Sequence, residues 1–86
     1  MPTNISIQIA YALYGIKDRT IEVTKEAQAA LAGDDLTVSA NRLGVEDPAP
    51  GEVKFFAVWA KIKIDDRETT DFHYIAKDYE TIDFIP

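Results

Sequence analysis

The chain has 86 residues, of which nine are basic and fifteen acidic, so its formal net charge is −6. This length fits a single small domain over residues 1–86, and without cysteine neither a disulfide nor a thiolate zinc site can reinforce the core. The basic residues are scattered and no segment has about 20 consecutive apolar residues, which disfavours nucleic-acid binding and a membrane span and favours a soluble cytoplasmic protein.

Two strands are predicted at the start of the chain. Residues 4–15 alternate between apolar and other side chains, and residues 19–24 resume the alternation after a short turn. The first strand is expected to bury a face made of Ile5, Ile7, Ile9, Tyr11 and Leu13. The second is expected to lie beside it, with Ile21 and Val23 directed inward.

A short helix is predicted next. Thr24 offers a hydroxyl to the first free N–H groups, Glu26 complements the helix dipole, and Gly33 provides a left-handed stop. The apolar stripe between Ala27 and Leu31 is narrow, and about eight residues are too few for an isolated helix. We therefore expect this helix to lie against a sheet.

A third strand and a stiff loop are predicted after the helix. Leu36 and Val38 alternate with polar residues, whereas residues 40–51 show no regular pattern. Pro50 and Gly51 suit the two central positions of a type II turn, since proline fixes φ and glycine accepts a positive φ.

The longest apolar strand candidate, residues 53–64, is expected to form the centre of the fold. With period two, one face is wholly apolar and carries Phe56, Val58, Ala60, Ile62 and Ile64, and it is assigned to the core. Lys54, beside this face, is expected to lie outside the core. The other face carries Phe55, Trp59, Lys61 and Lys63. Either the short helix covers both Phe55 and Trp59, or the two form an interaction surface. A mixed case is slightly favoured, in which the helix covers Phe55 and leaves Trp59 at the edge of an exposed patch.

The last third of the chain predicts a hairpin and a final strand. A loop of five residues, 65–69, leads into a strand at 70–77, and this loop length places His73 opposite Lys61. A further strand is predicted at 81–85. These elements together predict a mainly β fold, a small antiparallel β-sandwich of five or six strands with one short helix.

Four motifs follow one another along the chain: ALYG (12–15), IEVT (21–24), DPAPGEVK (47–54) and DYETIDFIP (78–86). In this order they resemble the C-terminal domain of unknown function of the DnaJ-like proteins of subfamily C, member eleven. The resemblance spans nearly the whole chain and implies a β-rich accessory domain, here standing alone, rather than an enzyme. The chain has no J-domain and no His-Pro-Asp tripeptide, so cochaperone activity and mitochondrial membrane location are not carried over.

Residues suited to catalysis or metal binding are few. His73 is the only imidazole, and no serine or aspartate is evidently paired with it as a general base requires. The pairs Asp34–Asp35 and Asp65–Asp66 lack the oxygen spacing and glycine of a calcium-binding loop, and the isolated glycines form no phosphate-binding loop. We therefore expect a protein that is not an enzyme, with no metal site and no cofactor.

The aromatic residues of the central strand are the best candidates for binding. Phe55 and Trp59 are about 13 Å apart along a strand, far enough to bracket a partner's surface. The candidate binding surface consists of Phe55, Trp59, Lys61, Lys63 and His73. It predicts a protein-interaction or scaffolding domain that binds another protein or a second copy. A carbohydrate- or small-ligand-binding module is the alternative, because aromatic rings on a strand face stack on sugars.

Overall fold

The computed structural model describes residues 4–85, in which six strands and two short helices form a mainly β fold. The elements in chain order are β1 (Ile5–Ile16), β2 (Arg19–Glu22), α1 (Thr24–Ala30), β3 (Asp35–Thr37), α2 (Ala40–Leu43), β4 (Phe55–Ile64), β5 (Thr70–Lys77) and β6 (Thr81–Asp83). The predicted fold class is confirmed, with one more short helix than expected. Neither helix in this range is long and apolar enough to cross a lipid bilayer.

The strands form two antiparallel sheets. One has four strands in the order β2-β1-β4-β5, and the other pairs β3 with β6. β4 is central, as predicted, because it pairs with both β1 and β5. His73 lies opposite Trp59 rather than Lys61, so the predicted register was wrong by two residues. A shift of two residues leaves each side chain on its predicted face.

The core lies on one side of the four-stranded sheet. The predicted inward face of β4 is confirmed from Phe56, which is fully buried, to Ile62. One cluster joins this face to both helices and to the small sheet, and its buried members are Ile9, Ala12, Tyr14, Val23, Ala27, Leu36, Val38, Leu43, Phe56, Val58, Ala60, Ile62, Ala76, Ile82 and Phe84. Packing on this side therefore holds the two sheets together.

A β-bulge changes the inward face of β1. The pairing with β4 skips one residue between Ile9 and Tyr11, so the alternation shifts phase there. Before the bulge Ile9 is buried, and after it Ala12 and Tyr14 are buried instead. The prediction that Tyr11 and Leu13 belong to the core was wrong, since the bulge turns them to the opposite face.

α1 packs on the core side of the large sheet. Ala27 is fully buried in the same cluster as Phe56, whereas Phe55 points to the other side of β4. The prediction that this helix covers Phe55 was therefore wrong. The predicted cap was also wrong, because Thr24 is already the first helical residue and no side chain caps the helix.

Polar side chains of α1 cover the edge of β1 that extends beyond β2. The side-chain oxygen of Gln28 accepts a hydrogen bond from the Ile9 N–H at 2.7 Å, and its amide nitrogen donates to the Ile7 carbonyl at 3.1 Å. The Thr24 hydroxyl accepts from the Ala12 N–H at 3.1 Å. Backbone groups that would otherwise form an open sheet edge are thus satisfied within the chain.

α2 occupies the start of the segment that was expected to be irregular. Ser39 caps it by accepting a hydrogen bond from the Arg42 N–H at 3.0 Å, and Gly44, with φ of 71°, ends it. Four helical residues carry too little periodicity to indicate a helix from sequence.

The proline turn has the predicted conformation. Gly51 has φ of 82°, and the Glu52 N–H donates to the Ala49 carbonyl at 3.1 Å. Pro50 and Gly51 therefore occupy the central positions of the turn that leads into β4.

Candidate functional site

One face of the four-stranded sheet carries exposed apolar side chains from three adjacent strands. Residues directly opposite each other in neighbouring strands share a face, so the register identifies its members. We call it the outer face, and it includes Tyr11, Leu13, Phe55, Ala57, Trp59, Lys61, Lys63, Asp71, His73, Ile75 and Lys77. Trp59 is 38% exposed, Phe55 48% and Ile75 68%. Within residues 4–85, both helices and the small sheet pack on the opposite side.

A shallow groove of about 270 Å³ crosses the outer face. Tyr11 and Leu13 border it on β1, Trp59 forms its centre, and His73 and Ile75 border it on β5. Three rings lie in one row across the strands, since Trp59 is opposite Tyr11 on one side and His73 on the other. The groove therefore presents apolar and aromatic walls to solvent.

Three neighbours fix the indole of Trp59. Its Nε1–H donates to Asp71 Oδ1 at 3.1 Å, and its ring stacks against His73 with centroids 6.0 Å apart and planes inclined by 10°. The ammonium group of Lys61 lies 5.6 Å from the ring centroid, within the range of a cation–π interaction. An indole held in this way loses little conformational entropy on binding a partner.

The structure places all five predicted binding residues on the outer face. Trp59, Lys61 and His73 are brought together by the stacking and cation–π contacts. Phe55 and Lys63 lie on the same strand toward its two ends and do not border the groove. The binding role of all five stays a prediction.

Sequence reasoning assigned two residues of the groove to the wrong face of β1. Tyr11 and Leu13 were assigned to the core, because strict alternation from Ile5 onward leads to that face. The bulged residue is Ala10, and an alanine within an apolar strand gives no signal that marks a bulge.

A second cluster of polar side chains, buried except for Asp47, lies beside the proline turn. Lys54 is only 4% exposed, and its ammonium group donates to Asp47 Oδ2 at 2.7 Å and lies 3.4 Å from Asp78 Oδ2. The prediction that Lys54 lies outside the core was wrong. Two carboxylates, one from the turn and one from the end of β5, compensate the charge and make its burial tolerable.

Tyr14 completes this cluster by donating a hydrogen bond from its hydroxyl to Asp78 Oδ1, while the Lys54 N–H donates to Asp78 Oδ2 at 2.8 Å. Burial, and then the hydrogen bond to Asp78, raise the pKa of Tyr14. The hydrogen bond between Lys54 and Asp47 lowers the pKa of Asp47 and raises the pKa of Lys54.

A cavity of about 250 Å³ lies beside this cluster, between the proline turn and Tyr79. In residues 4–85, every buried side-chain nitrogen and oxygen has a hydrogen-bond partner. The buried groups form hydrogen bonds with one another and do not point into the cavity as unpaired donors or acceptors. We therefore interpret the cluster as structural.

Three carboxylates meet where the small sheet begins. Oxygens of Asp34, Asp35 and Asp83 lie within 4.8 Å of one another. Desolvation, and then the negative charges of Asp34 and Asp83, raise the pKa of Asp35. The three groups lie at the surface, where clustered acidic residues are common without a cation, and we base no metal assignment on them.

The fold and the outer face define a small mainly β protein with one open apolar sheet face. Comparisons with protein-family models, with curated proteins and with solved structures found no match to the chain. The resemblance to the C-terminal domain of the DnaJ-like proteins therefore stays a prediction.

Proposed function

We propose that this protein is a non-catalytic protein-interaction domain that binds its partner on the outer face. The observation that carries the proposal is the exposure of Tyr11, Trp59 and Ile75 around one groove. Contiguous exposed apolar patches on soluble proteins commonly mark interaction sites, and buried aromatic anchors carry much of the energy of an interface.

The arrangement of charges supports this proposal. Lys61 and Lys63 continue the outer face beyond Trp59, and Asp71 lies opposite Lys61 on β5. An apolar centre with charged residues at its margin is the usual anatomy of a protein–protein interface. The charged margin would also keep the free domain soluble.

A carbohydrate- or small-ligand-binding module is the second candidate. The observation in its favour is the row of rings formed by Tyr11, Trp59 and His73. Stacking on a sugar needs a free ring face, however, and the Trp59 ring already has His73 and the ammonium group of Lys61 as neighbours. The exposed branched side chain of Ile75 suits the apolar side chains of a protein better.

Quantitative affinity capture from the source cells tests the proposal. We expect Trp59→Ala to lose the proteins that the wild type captures. Tyr79→Ala is the matched control, because Tyr79 is an exposed aromatic residue outside the outer face. Equal capture by the wild type and Trp59→Ala would contradict the proposal. Binding of the wild type to a glycan array, lost in Trp59→Ala, would favour the carbohydrate alternative.

A further inference from the structure

The edge strand β5 has backbone groups directed away from the sheet. The Asp78 N–H donates to the Lys54 carbonyl in continuation of the β4–β5 register, so the even-numbered residues of β5 direct their backbone groups toward β4. The odd-numbered residues Asp71, His73 and Ile75 direct theirs outward. Within residues 4–85, no backbone group forms a hydrogen bond with these three.

The two edges of the four-stranded sheet are therefore treated differently. At the β1 edge, Gln28 and Thr24 bond to the backbone where β2 ends. β5 has eight residues without proline, glycine or a bulge, and it exposes Tyr74 on one face and Ile75 on the other. A long, regular and uncovered edge strand is a template for pairing with another strand.

We propose that two copies of this chain pair through β5, antiparallel and around a two-fold axis at Tyr74, so that the four-stranded sheets join into one. In this register His73 of one copy and Ile75 of the other exchange backbone hydrogen bonds in both directions. Asp71 of each copy lies opposite Lys77 of the other. The pairing goes beyond the proposed function, because it leaves both outer faces free and places them side by side.

The charges along β5 select this register. Asp71 and Lys77 share a face and are equally distant from Tyr74, so the antiparallel pair brings opposite charges together at both ends. A register centred on His73 would lose both ion pairs, and one centred on Ile75 would place His73 opposite Lys77. A register with its axis between two residues would place odd-numbered residues of one copy opposite even-numbered residues of the other. The backbone groups of the even-numbered residues point toward β4, so the ladder could not form.

The end of β5 fits the same arrangement. The N–H of Lys77 is already bonded to Glu80 Oε1 at 2.7 Å, whereas its carbonyl is directed outward like those of the other odd-numbered residues. That carbonyl can accept the Asp71 N–H of the second copy. The outermost pair therefore forms one hydrogen bond at each end, and no hydrogen bond of the single chain is broken.

Sedimentation velocity with charge-swap variants tests the pairing. The wild type is expected to dimerise as its concentration rises. Asp71→Lys and Lys77→Asp should each raise the dissociation constant about tenfold or more, because each puts like charges at both ends of the pair. An equimolar mixture of the two variants should regain wild-type dimerisation, because opposite charges meet again at both ends of the mixed dimer.

Two further variants separate edge pairing from loss of folding and from association through the outer face. Ile75→Pro removes one outward-directed N–H group and no hydrogen bond to β4. It should therefore abolish dimerisation, while its circular dichroism spectrum stays that of a folded domain. Tyr11→Ala changes the outer face two strands away and should dimerise like the wild type, which separates failure of edge pairing from failure of the proposed function. A wild type that stays monomeric, or a mixture no better than its components, would overturn the proposal.

Discussion

The two faces of β4 both begin with a phenylalanine but differ in burial. Phe56 is fully buried, whereas Phe55, its neighbour along the chain, is 48% exposed. Both are phenylalanines in one strand, so propensity does not distinguish them, and the difference comes from what packs against each face. α1, α2 and the small sheet all lie on the side of Phe56. Apolar alternation thus reports the geometry of the strand, and only the packing of the other elements decides burial.

Lys54 and Trp59 show the converse, a buried charged side chain and a partly exposed aromatic one. Lys54 is buried because Asp47 and Asp78 lie within reach of its ammonium group. Trp59 is partly exposed because no element of residues 4–85 packs over it. At Lys54 and Trp59, burial therefore follows the available partners rather than the hydropathy of the side chain. The exposed apolar side chains around Trp59 lie on the outer face, where we propose that a partner binds.

The largest expected effect compares the two phenylalanines. Phe56→Ala should lower the free energy of unfolding by about 3–5 kcal/mol, because it leaves a cavity in a small core. Phe55→Ala should cost less than about 1 kcal/mol, since its side chain is half exposed. Urea unfolding of both variants measures the difference. Equal losses would mean that both faces of β4 are enclosed.

The next effect concerns the buried charges. Asp78→Ala should destabilise the protein by about 3 kcal/mol, because it leaves the Lys54 ammonium group and the Tyr14 hydroxyl with one partner fewer in a buried site. Asp71→Ala, at the exposed end of β5, is the matched control and should cost less than about 1 kcal/mol. Thermal unfolding monitored by circular dichroism compares the two, and similar melting temperatures would refute a stabilising role of the cluster.

A smaller effect is expected for Tyr14→Phe, about 1 kcal/mol at neutral pH, because one buried hydrogen bond is lost. The pKa of Tyr14 is raised in the folded protein, so its contribution is complete below the ordinary phenol pKa of about 10 and is lost as the pH rises above that value. The variant should therefore lose less stability than the wild type between neutral and strongly alkaline pH. The free energy of unfolding of both proteins is measured by urea unfolding at each pH. A difference between them that stays constant across this pH range would contradict the linkage.

Much of the fold could be predicted from the sequence where a local rule applied. The period-two pattern of β4 identified the buried face at Phe56, and the chemistry of Pro50 and Gly51 identified the turn. The phase of β1 could not be followed past Ala10, because a bulge is set by the pairing with β4 and not by the residue itself. α2 was missed because four residues carry too little pattern.

The candidate site was predicted less completely, because its exposure depends on tertiary packing. The five binding candidates lie on the outer face because they alternate with the core residues of β4 and β5. The side on which α1 packs depends on contacts with distant residues, such as Gln28 with the backbone of Ile9, and no local pattern reports them. The burial of Lys54 likewise depends on Asp78, which is 24 residues away in the chain.

The most direct test of an outer face left open in the monomer is quenching of the fluorescence of Trp59, the only tryptophan in the chain, by neutral acrylamide. The measurement uses dilute protein, with the urea-unfolded chain as the reference for full access. We predict substantial quenching in the folded state, in keeping with an indole that is 38% exposed. A blue-shifted emission that acrylamide barely quenches would show an enclosed indole and would contradict the proposed interaction surface.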